Sequence, residues 1–330
     1  MLTSASTKQR CQEFSDFLRS SASGFELDLS GCSLIECIEQ MIRVKNRLSE
    51  GYGKHFSCLL FNLNYIQKLF GCTISPSQVN ELFWTYFISF LTKERKLSLS
   101  TVKTVCSQLK TSVEWSARHR ARISDTYDML KIPSYCHEQI ALTADEISHI
   151  YHFDVSSISR RKQYVSHMQR VKDMFVLSCN LGQRFSDMVR IERKCFDRNI
   201  FRQIQQKTGM MAYVDIEKMS IDRNTTYRVL EKYDYSSPVK TDISCYDKYL
   251  KQLLRHIGGE FCEEIKRETK VNGLIETAFF PKWKLVSSHT SRRSFITINV
   301  LRGFRPLEIM RASGHKSYTS FEKYLCYFDD

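Results

Sequence analysis

Ser288-His289-Thr290-Ser291-Arg292-Arg293-Ser294-Phe295, then Gly314-His315-Lys316-Ser317, then Tyr324, are the stretches on which the reading of this chain turns. No single element of the set is rare. A His-x-x-Arg, a Gly-His and a tyrosine in that order, with Tyr324 nine residues beyond His315, are rare in combination. These residue types suit an enzyme that attacks a nucleic-acid phosphodiester with a phenol: cations for the phosphate, imidazoles for protons, a hydroxyl for the bond. Such a site also needs a second arginine and a lysine upstream. Arg184, after Leu181-Gly182-Gln183, and Lys207, in Gln206-Lys207-Thr208-Gly209, are an arginine and a lysine upstream.

The 330 residues are enough for two domains, each with its own core. A hydrophobic content of 42% and a charged content of 26% are ordinary for a globular protein. The net charge of +13 and pI of about 9.2 are not ordinary. They favour a polyanionic partner, with nucleic acid first; a generally basic soluble surface is the plainer alternative. The 12 cysteines form no C-x-x-C pair and no metal-ligand spacing, which predicts reduced thiols of a cytosolic protein and no metal site. The stretch from Ser4 to Gln12 is polar, which argues against a signal peptide, and no run of eighteen apolar residues suggests a membrane span.

Residues 1–30 carry weak periodicity and predict a short, mobile extension. Ser33-Leu34-Ile35-Glu36 is a capping box ahead of Cys37, Ile38, Met41 and Ile42 on one helical face. Ser75-Pro76-Ser77-Gln78 predicts a second helix, with Val79, Leu82, Phe83, Tyr86, Phe87, Phe90 and Leu91 at the helical period. A third is predicted from about Thr101, with Val102, Val105, Cys106, Leu109 and Val113 inward. Residues 31–131 therefore predict an all-α bundle. Ile132-Pro133-Ser134 opens a linker over 132–142, and Thr143-Ala144-Asp145-Glu146 caps the first helix of a second domain over 143–330. Within it, Val171, Met174, Phe175 and Cys179 mark a helix ending at Leu181-Gly182. Ile200–Gln206 and Met210–Ile216 predict a hairpin about Lys207-Thr208-Gly209, and Ile243–Ile257 predict a helix closed by Gly258-Gly259.

Leu-Gly-x-Arg-Phe-Ser-Asp, Gln-Lys-Thr-Gly, Ser-His-Thr-x-Arg-Arg-Ser-Phe and Gly-His-Lys-Ser, as they stand here, resemble the motifs of the tyrosine recombinase (phage integrase) family. The likeness is greatest to the subgroup carried by phages and mobile transposons, and it spans about residues 31–325. The resemblance implies a helical, SAM-like core-binding domain followed by a mainly-α, mixed α/β catalytic domain with a small antiparallel sheet. It implies Arg184, Lys207, His289, Arg292, His315 and Tyr324 as the catalytic set, with Asp187 in support. It further implies double-stranded DNA as substrate, a homo-oligomer (a tetramer on two DNA sites), accessory DNA-bending proteins, no cofactor, no metal and no membrane. A cytoplasmic, nucleoid-associated location follows from the same reading.

The chemistry suits those assignments. Two guanidiniums can grip the non-bridging phosphate oxygens as charge builds on them. A tyrosine hydroxyl with a free pKa of about 10 needs a neighbouring base or a positive field, which His289 can supply. A lysine at a hairpin tip can protonate the departing 5′ oxygen, while His315 bonds the phosphate or braces the tyrosine.

Each residue also has an ordinary reading. Arg184 could pair with Asp187, Lys207 could be a turn residue with Lys218 as its substitute, and Tyr318 and Tyr327 compete with Tyr324. Lys103, Lys110, Arg118, Arg120, Arg122 and Arg293 are candidates for DNA contact, against the reading of charged faces in water. Three functions remain open: a site-specific recombinase, a topoisomerase or telomere resolvase using the same site, and an inactive DNA-binding regulator. A short apolar tail (Leu325, Tyr327, Phe328) is a candidate for docking on a neighbouring subunit.

Overall fold

The computed structural model describes residues 27–47, 51–133, 135–137, 139–271 and 274–326. Most of the expected N-terminal extension, and Tyr327 and Phe328 of the tail, lie outside the described residues. Contacts divide the chain into two compact units, residues 1–135 with 270–274, and residues 136–269 with 275–330.

The first unit is helical: α1 (Leu34–Asn46), α2 (Ser57–Phe70), α3 (Glu81–Ser89) and α4 (Leu99–Ala117). The capping box at Ser33 forms, with the Glu36 carboxylate accepting from the Ser33 N–H at 2.7 Å and the Ser33 hydroxyl accepting from the Glu36 N–H. Leu34, Ile38, Met41, Leu59, Leu63, Phe87, Val105, Leu109 and Val113 meet in the core. Each such side chain, fully buried, stabilises the unit by roughly 1.5–3 kcal/mol.

The helix expected from Ser75 is interrupted. Pro76–Gln78 is a single 3₁₀ turn, Val79 leaves helical geometry (ψ 71°), and the Asn80 side chain starts α3 by accepting from the Phe83 N–H at 2.9 Å. The restart fixes a new phase, so Trp84, Phe87 and Leu91 turn inward while Leu82 stands 81% exposed and Tyr86 41%. Helix α2 was not anticipated, and α4 begins two residues before Thr101, capped by Ser98.

The second unit is built on α6 (Lys162–Leu181), which follows α5 (Ala144–His152). Every residue of α6 from Val171 to Leu181 is buried, so this half runs through the core with neighbours on all sides. It is followed by α7 (Phe185–Met188), α8 (Ile216–Met219), α9 (Arg223–Lys232) and α10 (Ile243–Ile257). Then come α11 (Lys282–Leu285), α12 (Ser288–Leu301), α13 (Pro306–Ser313) and α14 (Tyr318–Glu322).

There are two three-stranded sheets among the described residues. One has the order β1-β5-β6 (Tyr135–His137, Glu264–Val271, Leu274–Pro281), so part of the stretch read as a linker is strand. The other is antiparallel β2-β3-β4 (Phe196–Asp197, Ile200–Ile204, Met211–Asp215), with Ile200 opposite Asp215 and Ile204 opposite Met211. That register buries Phe201, Gln203, Ala212 and Val214 and leaves Lys207 at the turn. The expected hairpin, the helix ends at Gly182 and Gly258, and the Thr143 cap are all present.

Candidate active site

Two core helices carry the arginines to one place. Helix α6 ends at Gly182, whose φ of +65° turns the chain toward Gln183 and Arg184. A Cβ on Gly182 would collide with the Phe295 ring of α12, so only glycine lets the two helices approach this closely. On α12, Arg292 lies one turn beyond His289. Its start is held by Asp247, whose carboxylate accepts from the Ser288 N–H at 2.7 Å.

Arg292 is fully buried. Its Nη1 donates to the Gly182 carbonyl at 3.0 Å, at the C-terminal end of α6, where the helix dipole favours a cation. Its Nη2 lies 3.0 Å from His315 Nε2. Burial, and after it the charge of Arg184, pull its pKa down to about 9, with Tyr324 and Asp187 opposing. The guanidinium is still charged at neutral pH.

The tautomer of His315 follows from its neighbours. The Ser313 hydroxyl donates to the Ile309 carbonyl at 2.6 Å, so it can only accept at 2.8 Å from His315 Nδ1–H. That leaves Nε2 with a lone pair for Arg292. Burial, then Arg292 and Arg184, depress the His315 pKa to about 3, which keeps the ring neutral.

Tyr324 packs against both. Its ring centroid is 5.3 Å from the Arg292 guanidinium carbon, 4.9 Å from the His315 ring and 6.4 Å from the His289 ring. His289 is exposed at the cleft edge but crowded. Desolvation first, then Arg293, Arg292, Arg184 and Lys207, lower its pKa, so it is a neutral acceptor at neutral pH.

A cleft of about 660 Å³ is lined by Arg184, Lys207, His289, His315 and Tyr324, together with Phe185, Ser186, Thr208, Ile243, Lys316, Ser320 and Lys323. Five of the six expected catalytic residues thus face one cavity. The sixth, Arg292, lies beneath the Tyr324 ring.

Asp187 does not pair with Arg184. Its Oδ1 accepts from Arg190 Nη2 and from the Gln206 N–H, each at 2.8 Å, which fixes the hairpin beside Lys207. Lys218 forms an ion pair with Asp215 at 3.5 Å and does not line the cleft; nor does Tyr318, which is 54% exposed and packs on Phe321. Arg293 is half-buried, its pKa lowered by desolvation.

The candidates on the first unit divide. Lys103, Arg118, Arg120 and Arg122 are exposed. Lys110 is engaged internally, donating to the Leu130 carbonyl at 2.9 Å with its ammonium 5.2 Å from the Tyr127 ring. Lys316 and Lys323 add two cations to the cleft that the sequence reading did not single out. Lys316 follows His315 in Gly-His-Lys-Ser, so its signal was already in the quoted motif.

Comparison with solved structures gives lambda integrase bound as a dimer to a COC′ core site: 15% identity, TM-score 0.63, covering 91% of this chain and 80% of that one. The Tn1549 transposon integrase with transposon right-end DNA matches at 15% identity and TM-score 0.60, covering 90% and 96%. XerH site-specific recombinase bound to difH substrate matches at 13% identity and TM-score 0.56, covering 91% and 83%. The chain has the tyrosine recombinase fold. No protein-family model matches it, and no curated protein sequence does. Within that fold, Arg184 follows a core helix and Lys207 stands on a hairpin. No helix among the described residues is long and apolar enough to cross a membrane.

Proposed function

We propose that this protein is a site-specific DNA recombinase of the integrase type, a DNA strand-transferase that cleaves and rejoins duplex DNA through a covalent 3′-phosphotyrosine on Tyr324. The observation that carries the reading is the convergence of Arg184, Lys207, His289, His315 and Tyr324 from separate segments on one cleft, with the Arg292 cation beneath it.

In this reading Arg184 and the cleft lysines draw the scissile phosphate in. The Tyr324 ring slides from the Arg292 guanidinium, which then meets a non-bridging oxygen. Neutral His289 accepts the phenol proton as Oη attacks phosphorus. The P–O5′ bond breaks, and O5′ takes a proton from Lys207. One phosphodiester has become another, so a 5′-hydroxyl from a partner strand can reverse the step without ATP or metal. His315 Nε2 accepts from Arg292, so its part is to orient that cation.

The first unit serves as the core-binding domain, with Lys103, Arg118, Arg120 and Arg122 toward the DNA backbone. The working assembly is a homo-tetramer on two DNA sites, assisted by DNA-bending proteins. It moves or rearranges a mobile element or DNA segment at the nucleoid.

The test begins with sites recovered from a randomised duplex pool by binding to the Tyr324→Phe chain. Rebuilt with a nick and incubated with chelator, they should yield a 3′-linked protein–DNA adduct with the wild-type chain and none with the variant. Paired sites should then exchange strands. No adduct on sites the protein binds would point to a DNA-binding regulator; an adduct without exchange would point to a topoisomerase or resolvase.

A further inference from the structure

Gln205 sits at the inner end of the hairpin turn with 1% of its surface exposed, and its side-chain amide is bonded at both ends. Oε1 accepts from Arg184 Nη1 and from the Thr208 hydroxyl. Nε2 donates to Gln183 Oε1 at 2.9 Å and to the Ser313 carbonyl at 2.6 Å. Its own main chain closes the turn: the N–H donates to the Met210 carbonyl and the carbonyl accepts from the Gly209 N–H, both at 2.9 Å. Gln183 is equally buried and passes the connection on, donating to the carbonyls of Leu181 and Ala312. Gly314, at φ +67°, lies against the Gln205 amide so closely that any Cβ there would collide with it.

An amide meets all of these partners at once. It presents a donor to a carbonyl and an acceptor to a guanidinium from one planar group, buried where an unmet partner is costly. Arg184 takes its place from that acceptor; Asp187 is turned to Arg190 and the Gln206 N–H instead. Taking the recombinase reading as its basis, we propose that Gln205 is a positioning residue. It holds the Arg184 guanidinium in the orientation that receives the scissile phosphate, while its bonds to Gln183 and Ser313 hold Gln205 itself rigid. It does not touch DNA.

The experiment measures single-turnover adduct formation on the nicked, pool-selected duplex, with protein saturating and DNA affinity measured alongside. The chains are wild type, Gln205→Met, Gln205→Glu, Arg184→Ala and the Arg184→Ala/Gln205→Met double variant. Met fills the same space without the hydrogen bonds. Gln205→Met should slow adduct formation by about 100-fold, as expected for a displaced phosphate-binding group, with DNA affinity changed by less than about threefold. Gln205→Glu, which keeps an acceptor for Arg184, should recover about tenfold of that loss. In the Arg184→Ala background, Gln205→Met should cost less than about threefold further, because the residue it acts through is gone.

A wild-type rate for Gln205→Met, or the same loss with and without Arg184, would overturn the proposal and leave Gln205 a packing residue. Absence of an adduct with the wild-type chain would instead overturn the recombinase reading, and this proposal with it.

Discussion

Arg292 and Lys207, two cations with different duties in the proposed reaction, sit in opposite surroundings. Arg292 is fully buried, held by the Gly182 carbonyl and by His315, while Lys207 stands exposed on a hairpin turn. The floor of the cleft is made of groups whose partners are already fixed: Arg292 on His315, His315 on Ser313, Arg184 on Gln205. The rim is made of Lys207, Lys316, Lys323 and His289, all open to solvent. A cation that stabilises charge in the transition state acts best when a low-dielectric site already holds it in place. A lysine that delivers a proton must instead reach the leaving oxygen and withdraw from it.

The largest effect should therefore come from the floor. Arg292→Ala should slow adduct formation on the order of 1000-fold while DNA binding is largely kept, since its guanidinium meets the phosphate only late. Binding lost in proportion to rate would place Arg292 in ground-state recognition instead. Lys207→Ala should cost about 100-fold with thermal unfolding unchanged. Replacing the leaving 5′ oxygen by sulfur, which departs without a proton, should remove most of that loss; a loss that persists would deny Lys207 its acid role.

The floor also predicts a pH dependence. His315 ionises near 6.5 in the unfolded chain and near 3 in the folded one. Its folded pKa is depressed, so its contribution to stability is complete above about pH 6.5 and is lost as the pH falls toward 3. The unfolding free energy should drop in that window more steeply in the wild type than in His315→Gln, by up to about 1.4 kcal/mol per pH unit. Equal slopes in chemical denaturation would show that the ring titrates normally when folded.

The smallest effects lie on the first unit, where the same contrast recurs. Arg122→Ala should weaken DNA binding a few-fold and reduce its salt dependence by about one ion. Lys110→Met should leave binding unchanged and cost about 1 kcal/mol of stability, through the lost bond to Leu130. The reverse assignment would exchange their roles.

What the sequence made legible was whatever is written locally. The caps at Ser33 and Thr143, the glycine stops at Gly182 and Gly258 and the hairpin about Lys207 depend on neighbours in the chain, and they stand where expected. The motif residues converge for the same reason: each motif ends or begins an element whose position is set by the core. Strand β5 was hard to read, because Glu264, Lys266, Arg267 and Glu268 give no alternation of apolar and polar residues; β6, with Leu274, Ile275, Phe279 and Phe280 after Asn272-Gly273, carried a hairpin signal that was passed over. The phase of α3 was misread because Val79 and Asn80 restart the helix, an event that periodicity alone does not register. Gln183 and Gln205 were passed over for a different reason. A buried glutamine looks like any polar turn residue until Arg184, Ser313 and Gly314, distant in sequence, are seen around it.

The proposed reaction makes the Tyr324 phenol the nucleophile. Its most direct test is to digest the protein–DNA adduct formed in the presence of chelator and locate the nucleotide on the peptide by mass spectrometry. A 3′-phosphodiester on Tyr324 alone is expected. A nucleotide on Tyr318 or on any other residue, or one joined through its 5′ end, would contradict it.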